Sequence, residues 1–342
     1  MPPPAAVLRP VRRLLATSAV VLTLVAAAPG SGQQGPIVTS LTLFAGTAEG
    51  LWRSTDWAGK WQRVVGRTSG VTIEGVGAAR AIALHETRVW LGGDGGLYLA
   101  EDFGETWAPL SLVAGIRAVL PSRWPTADAT VFVGTGEGLL RSRDGGRTFE
   151  PTALPTGAVH RLEWPGPALV VACDRGVLVT KDEGVRFEGP GEGLPPGPVR
   201  AIVLSSYFSL DPVAFAAPAS GGVYRSSDGG ATWKASGLPG EVIGDLVWLG
   251  PFLYAAGESG FHRSQDAGDT WTRLSASPGR PSRLMFPLAP AAGIEAFLAT
   301  DRGLFRTVDA GEHWTPAGFA GQDVLTVATF PAPEPVQKKR RR

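Results

Sequence analysis

Ser226-Ser227-Asp228-Gly229-Gly230-Ala231-Thr232-Trp233 is written seven times in this chain, with variations, and its reading decides the fold. The other copies are Ser54–Trp61 (STDWAGKW), Ala100–Trp107 (AEDFGETW), Ser142–Phe149 (SRDGGRTF), Thr180–Phe187 (TKDEGVRF), Ser264–Trp271 (SQDAGDTW) and Thr307–Trp314 (TVDAGEHW). Their third-position carboxylates, Asp56, Asp102, Asp144, Asp182, Asp228, Asp266 and Asp309, recur about every 42 residues. A unit repeating at that period marks a stacked or ring-closed array.

Each position of the octapeptide has a chemical use. The Asp can accept hydrogen bonds from backbone N–H groups further along its own turn. Gly at the fifth position (Gly104, Gly146, Gly184, Gly230, Gly268, Gly311) permits a left-handed backbone at little steric cost. The closing Trp or Phe is large enough to bury against a neighbouring unit. The first copy departs, with Ala58 for Gly and Lys60 for Thr, and a less regular turn is expected there; Ala100 and His313 are lesser departures.

Working outward, each interval holds signals for four short strands. In the fifth these are Val199–Leu204, Val213–Ala217, a third running into the octapeptide, and a fourth starting at its aromatic. Four antiparallel strands per unit, repeated seven times, predict an all-β, seven-bladed β-propeller over residues 34–331. Before the first octapeptide only two strand signals occur, so blade 1 lacks its inner strand. Asp323–Phe330 is a strand signal with no octapeptide after it. The economical reading is that it fills the gap in blade 1 and closes the ring.

Composition agrees with an all-β chain rich in turn formers: 342 residues, 46 Gly, 29 Pro and 44% hydrophobic. Residues 1–33 read as an export signal, with Arg9, Arg12 and Arg13 ahead of the apolar run Leu14–Ala28. As a helix that run spans roughly 22 Å, short of a ~30 Å hydrocarbon core, so cleavage without a retained anchor is expected. Residues 332–342 read as a Pro-rich and then basic disordered tail, ending in Lys338–Arg342. Without leader and tail, 24 basic residues face 31 acidic ones, which argues against a nucleic-acid surface. The single Cys173 allows no internal disulfide. A secreted or periplasmic monomer is expected.

Two sets of charged residues fall at the ends of strands. Acidic residues mark the turn between second and third strands: Glu49, Asp94, Glu137, Asp174, Glu258 and Asp301. Near the start of the inner strands stand Arg80, Arg117, His160-Arg161, Arg200 and Arg283. Inner strands line the central channel, so these arginines are candidates for binding a partner at its mouth. The alternative is that they pair with the neighbouring acidic turns. The link Gly66–Ala78 belongs to the same mouth, and the Trp124-Pro125 and Trp164-Pro165 loops are weighed as sugar-stacking sites against packing. The four histidines are scattered without zinc spacing, and no phosphate-cradling loop or nucleophile elbow appears. No metal, cofactor or catalytic residue is assigned.

The octapeptide resembles the Asp-box, or BNR repeat, across about residues 37–330. The resemblance specifies propeller blades, not an activity. Sialidases sharing it have six blades, an arginine triad and a Tyr nucleophile; here Tyr98, Tyr207, Tyr224 and Tyr254 fall in outer or second strands or a loop. Xyloglucanase-type enzymes resemble two facing rings, and sortilin-type domains ten blades followed by Cys-rich modules. Blade count, size and export signal match the photosystem II stability/assembly factor-like group best. That resemblance implies a non-catalytic scaffold for a protein partner. The alternative is a carbohydrate-active or glycan-binding protein in which Glu137, Asp174, Glu258 or Asp301 meet over the channel.

Overall fold

The computed structural model describes residues 41–64, 76–122, 129–164, 166, 168–205, 208, 210–287 and 295–331. The leader, the basic tail, Trp124-Pro125, Pro165, Tyr207 and most of the Gly66–Ala78 link lie outside the described residues. The rest forms seven separate antiparallel sheets, a seven-bladed β-propeller, with one octapeptide in each blade.

Blade 5 shows the common plan. Its inner strand Val199–Leu204 pairs with Ala214–Pro218, which pairs with Tyr224–Ser226, and Lys234–Ala235 lies outermost. Second strands are buried along their whole length, as in Ala214–Pro218 and Ala296–Thr300, or at all but their first residue, as in Arg88–Gly93 and Phe252–Gly257. Sandwiched between two neighbouring blades, they read as continuous apolar runs rather than as alternation.

Closure follows the expected route. Val324–Pro331 pairs antiparallel with Leu41–Thr47, placing Leu43 opposite Thr329 and Ala45 opposite Val327. That strand becomes the innermost of blade 1, so no inner edge is left unpaired. Blade 4 departs from the four-strand plan. It has three strands, Val159–Glu163, Leu169–Cys173 and Gly176–Thr180, plus one bridge between Val179 and Glu188. Pro190 follows at once, and a proline nitrogen brings no N–H to a ladder. The chain crosses to blade 5 instead, where the Trp233 N–H donates to the Glu192 carbonyl at 2.8 Å.

The octapeptide is a closed hydrogen-bonded turn. In blade 5 the Ser226 hydroxyl donates to Asp228 Oδ1 at 2.8 Å and accepts from the Gly230 N–H at 2.8 Å. Asp228 Oδ1 also accepts from the Thr232 N–H at 2.9 Å, and the Thr232 hydroxyl donates to Oδ2 at 2.6 Å. The Thr232 hydroxyl and N–H hold the Asp228 carboxyl down at about 2, and Thr270 does the same for Asp266, also about 2.

Glycine at position five serves two ends. At Gly104 the backbone has φ 80°, and an added Cβ would stand 2.4 Å from the Phe44 ring of the preceding blade. The irregularity expected in blade 1 is not seen. Ala58 adopts φ 69°, its N–H still donates to the Ser54 hydroxyl at 3.1 Å, and the Lys60 N–H donates to Asp56 at 2.8 Å. Only the threonine hydroxyl's bond is missing, because lysine has none to offer. In blade 7 His313 Nδ1 takes that place, 2.7 Å from Asp309.

The closing aromatic packs on the blade before it. Trp107 meets Phe44 edge-on with centroids 6.1 Å apart, Trp314 meets Phe261 at 5.1 Å, and Trp61 meets Phe319 of blade 7 at 5.0 Å. Such pairs add about 0.5–1.5 kcal/mol beyond area burial. A second inter-blade contact was not read from the sequence, although its signal, Arg before the first octapeptide residue, is there. Arg53 reaches Glu105 of the next blade at 2.5 Å, Arg141 the Glu183 carbonyl at 2.9 Å, and Arg225 Asp269 at 3.5 Å.

Candidate functional site at the channel mouth

The inner strands begin with a slip in register. It falls at Ala79/Ala81, Val159/Arg161, Val199/Ala201, Ile243/Asp245 and Pro281/Arg283. One residue in each is thereby left unpaired, as in a β-bulge. This sorts the sequence-predicted cations into two rows.

Arg80, His160 and Arg200 occupy the unpaired positions. Arg80 grips Asp94 with two nitrogens, at 2.8 and 3.2 Å, which lowers the Asp94 carboxyl and raises the guanidinium. Asp174 accepts from the Ala158 N–H at 2.9 Å and lies 2.8 Å from His160 Nε2; those contacts lower its carboxyl in that order. At these two positions a basic side chain meets the acidic turn of its own blade. Arg200 is exposed and has no ion-pair partner among the described residues, and the same holds for Arg117, just ahead of the inner strand of blade 3.

One residue further along stand Arg161, Asp245 and Arg283. Asp245 was not among the residues picked out from the sequence. Its side chain is 2% exposed, and it accepts from the Leu284 N–H at 2.9 Å and the Leu246 N–H at 3.0 Å. Arg161 donates to it from blade 4, and Arg283 Nη1 of blade 7 lies 3.8 Å away. A charged crossbar therefore spans the channel. The missed signal was positional: Asp245 follows Ile243 by two residues, as Arg161 follows Val159 and Arg283 follows Pro281.

Two cavities open beside these rows. The larger, about 820 Å³, is a groove at the mouth between blades 2 and 3, lined by Arg80, Asp94, Arg117, Glu137, Val113 and Leu140 among others. On its rim the Thr135–Gly138 turn of blade 3 is held by Thr135 Oγ1, which accepts from the N–H groups of Glu137 (3.1 Å) and Gly138 (3.2 Å). The smaller, about 300 Å³, lies in the channel and is lined by Arg80, Arg117, Arg161 and Arg283 together with Glu163. Four of the five candidate arginines thus line the channel cavity; Arg200 lines neither.

The acidic turns are less gathered. Of Glu137, Asp174, Glu258 and Asp301, only Glu137 lines the groove. Asp301 accepts from the Arg280 N–H at 2.7 Å, and Glu258 lies 3.4 Å from the Arg280 guanidinium. Tyr98 and Tyr254 are buried in the blade cores, which raises both phenols. Among the described residues no group of three His, Cys, Asp or Glu side chains is placed to hold a metal ion, and no helix is long and apolar enough to cross a membrane.

No family model matches the chain. A xyloglucanase of Paenibacillus sp. is 28% identical over 207 residues, which cover 51% of this chain and 18% of that protein. Among solved structures, YCF48 bound to D1 peptide superposes with a TM-score of 0.56 at 14% identity, covering 80% of this chain and 93% of that one. An ancestral GH74 enzyme gives 0.61 at 13% identity, covering 83% of this chain and 46% of that one. YCF48 from Cyanidioschyzon merolae gives 0.54 at 14% identity, covering 78% and 94%. At such identities the likeness carries the fold. The chain spans less than a fifth of the xyloglucanase and about half of the GH74 enzyme.

Proposed function

We propose that this chain is an exported, non-catalytic propeller that holds an extended segment of a partner protein over its channel mouth. The observation that carries the reading is the groove between blades 2 and 3. It joins a cation without an ion-pair partner among the described residues, Arg117, to apolar side chains, Val113 and Leu140, in one trough of about 820 Å³. A backbone segment with alternating polar and apolar residues suits such a trough. YCF48, 93% of which is covered by the superposition, has been solved bound to D1 peptide, which supports a protein ligand for this chain.

The test is co-purification from cells that export the tagged chain. Wild type should retain a discrete partner, and Arg117→Glu, a change at an exposed side chain, should lose it while the thermal transition stays put. Unchanged capture would refute the placement.

A carbohydrate reading draws on one specific observation, the match to a xyloglucanase over half the chain. A glycosidase needs two carboxyl groups about 5–10 Å apart. In the groove Asp94 is engaged by Arg80, which leaves Glu137 as the carboxylate without a partner among the described residues. Hydrolysis of xyloglucan or another glycan that disappears in Glu137→Gln would favour this reading over the first.

A further inference from the structure

We infer that the channel cavity is a binding site for a small carboxylate carried on an apolar body, seated against the N–H groups that Arg161 and Arg283 turn to the cavity rather than to Asp245. This goes beyond the partner-binding reading and holds whether or not a protein docks above.

The argument starts from donors. Two guanidinium groups bring ten N–H donors between them. The group they converge on is Asp245, which has two oxygens, and those already accept from the Leu246 and Leu284 N–H groups. Arg283 makes no hydrogen bond among the described residues and its side chain is 30% exposed, so its N–H groups are open to an oxygen acceptor in the cavity they line.

Charge points the same way. Arg161 and Arg283 face the same carboxylate from blades 4 and 7, and burial together with the charge of Arg161 lowers Arg283 from the usual guanidinium range against the opposite pull of Asp245 and Glu163. Asp245 and Glu163 offset those two charges, and Arg80 is matched by Asp94, which leaves Arg117 as the cation in excess. Arg117, on the rim of the same cavity, has no ion-pair partner among the described residues.

Shape supplies the apolar half. Deeper along the inner strands the wall changes to Ala83, Leu120, Met285 and Ala328. Rows of alanine in blades 2 and 3, Ala81 and Ala118, leave the space that bulkier residues at those positions would fill. A volume of about 300 Å³ is at the small end of ligand pockets. A planar carboxylate can take two N–H bonds from one guanidinium, a match that a neutral amide cannot reproduce.

The probe is benzoate, titrated calorimetrically into the purified chain against benzamide, its neutral isostere. Benzoate should bind saturably with one site, and benzamide at least about tenfold more weakly. Ala83→Phe, which narrows the cavity without touching the crossbar, should abolish benzoate binding with circular dichroism unchanged. Equal binding of the two probes, or no saturable benzoate binding, overturns the inference on the wild-type chain alone. Benzoate affinity that survives in a folded Ala83→Phe chain also overturns it, by placing the ligand elsewhere.

Discussion

The octapeptide turns and the inner-strand row that carries the crossbar both recur around the same ring, yet they behave in opposite ways. In all seven turns the Asp accepts from the N–H of the seventh residue; Ala58 and His313 keep their bonds, while Ala100 gives up the first hydroxyl and Lys60 and Arg186 the seventh. The inner-strand row does not repeat. Ala81, Ala118 and Ala201 occupy positions that Arg161, Asp245 and Arg283 fill elsewhere. Sameness is what seven equivalent packing interfaces require. Difference is what a site needs, since a site must be addressed from one direction.

The largest test of this contrast removes the crossbar. Asp245→Ala leaves two partly buried guanidinium groups without their carboxylate and the Leu246 and Leu284 N–H groups without their acceptor, a combined loss expected to cost about 3–5 kcal/mol in urea unfolding. If it cost no more than an octapeptide substitution, the two regions would not differ in kind. Next comes the turn itself. Asp228→Ala removes the acceptor of three hydrogen bonds, two from Thr232 and one from Ser226, and should cost about 1–3 kcal/mol by the same measurement. Ser226→Ala, which strips one buried hydroxyl, should cost about 1 kcal/mol.

Acid sharpens the comparison from the other side. Asp228 and Asp266 titrate at about 2 in the folded chain, below an unfolded value near 3.9. Protons therefore bind the unfolded chain more tightly. The stability these carboxylates contribute is fully present above about pH 4 and is lost as pH falls through about 2. The urea midpoint should drop between about pH 5 and about pH 2.5, and in Asp228→Asn that drop should be shallower. An identical slope in the two chains would mean that the turn carboxylates do not set the acid limit. The smallest effect is expected at blade 1, where Ala58→Gly relieves a left-handed alanine but frees the unfolded chain; the net gain should stay under about 1 kcal/mol.

The same contrast explains what could be read beforehand. Strand order, blade count and the closing strand follow from local chemistry: Asp and Gly specify a turn, flanking apolar runs specify strands, and a surplus strand has one gap to fill. The pairings of Arg80 with Asp94 and His160 with Asp174 were readable too, because each joins a strand end to the turn beside it. Asp245 was not. Its partners come from blades 4 and 7, and the arginines appear as one set until the register slip divides them into two. That slip is backbone geometry, with no residue type to announce it. The missing fourth strand of blade 4 is a similar case, decided by where Pro190 falls relative to the ladder. Of the five arginines singled out, Arg200 shows the limit most plainly, since equal spacing in sequence did not bring it to either cavity.

The pairing of Val324–Pro331 with Leu41–Thr47 sets an order of events in synthesis. Six blades can zip up on the ribosome from neighbouring segments, whereas the first must wait, half built, for a strand translated almost a whole chain length later. Through that interval the edge of Leu41–Thr47 will accept any strand of matching pattern. A crowded population of unfinished chains therefore has a ready way to trade final strands, each copy completing another's circle before its own.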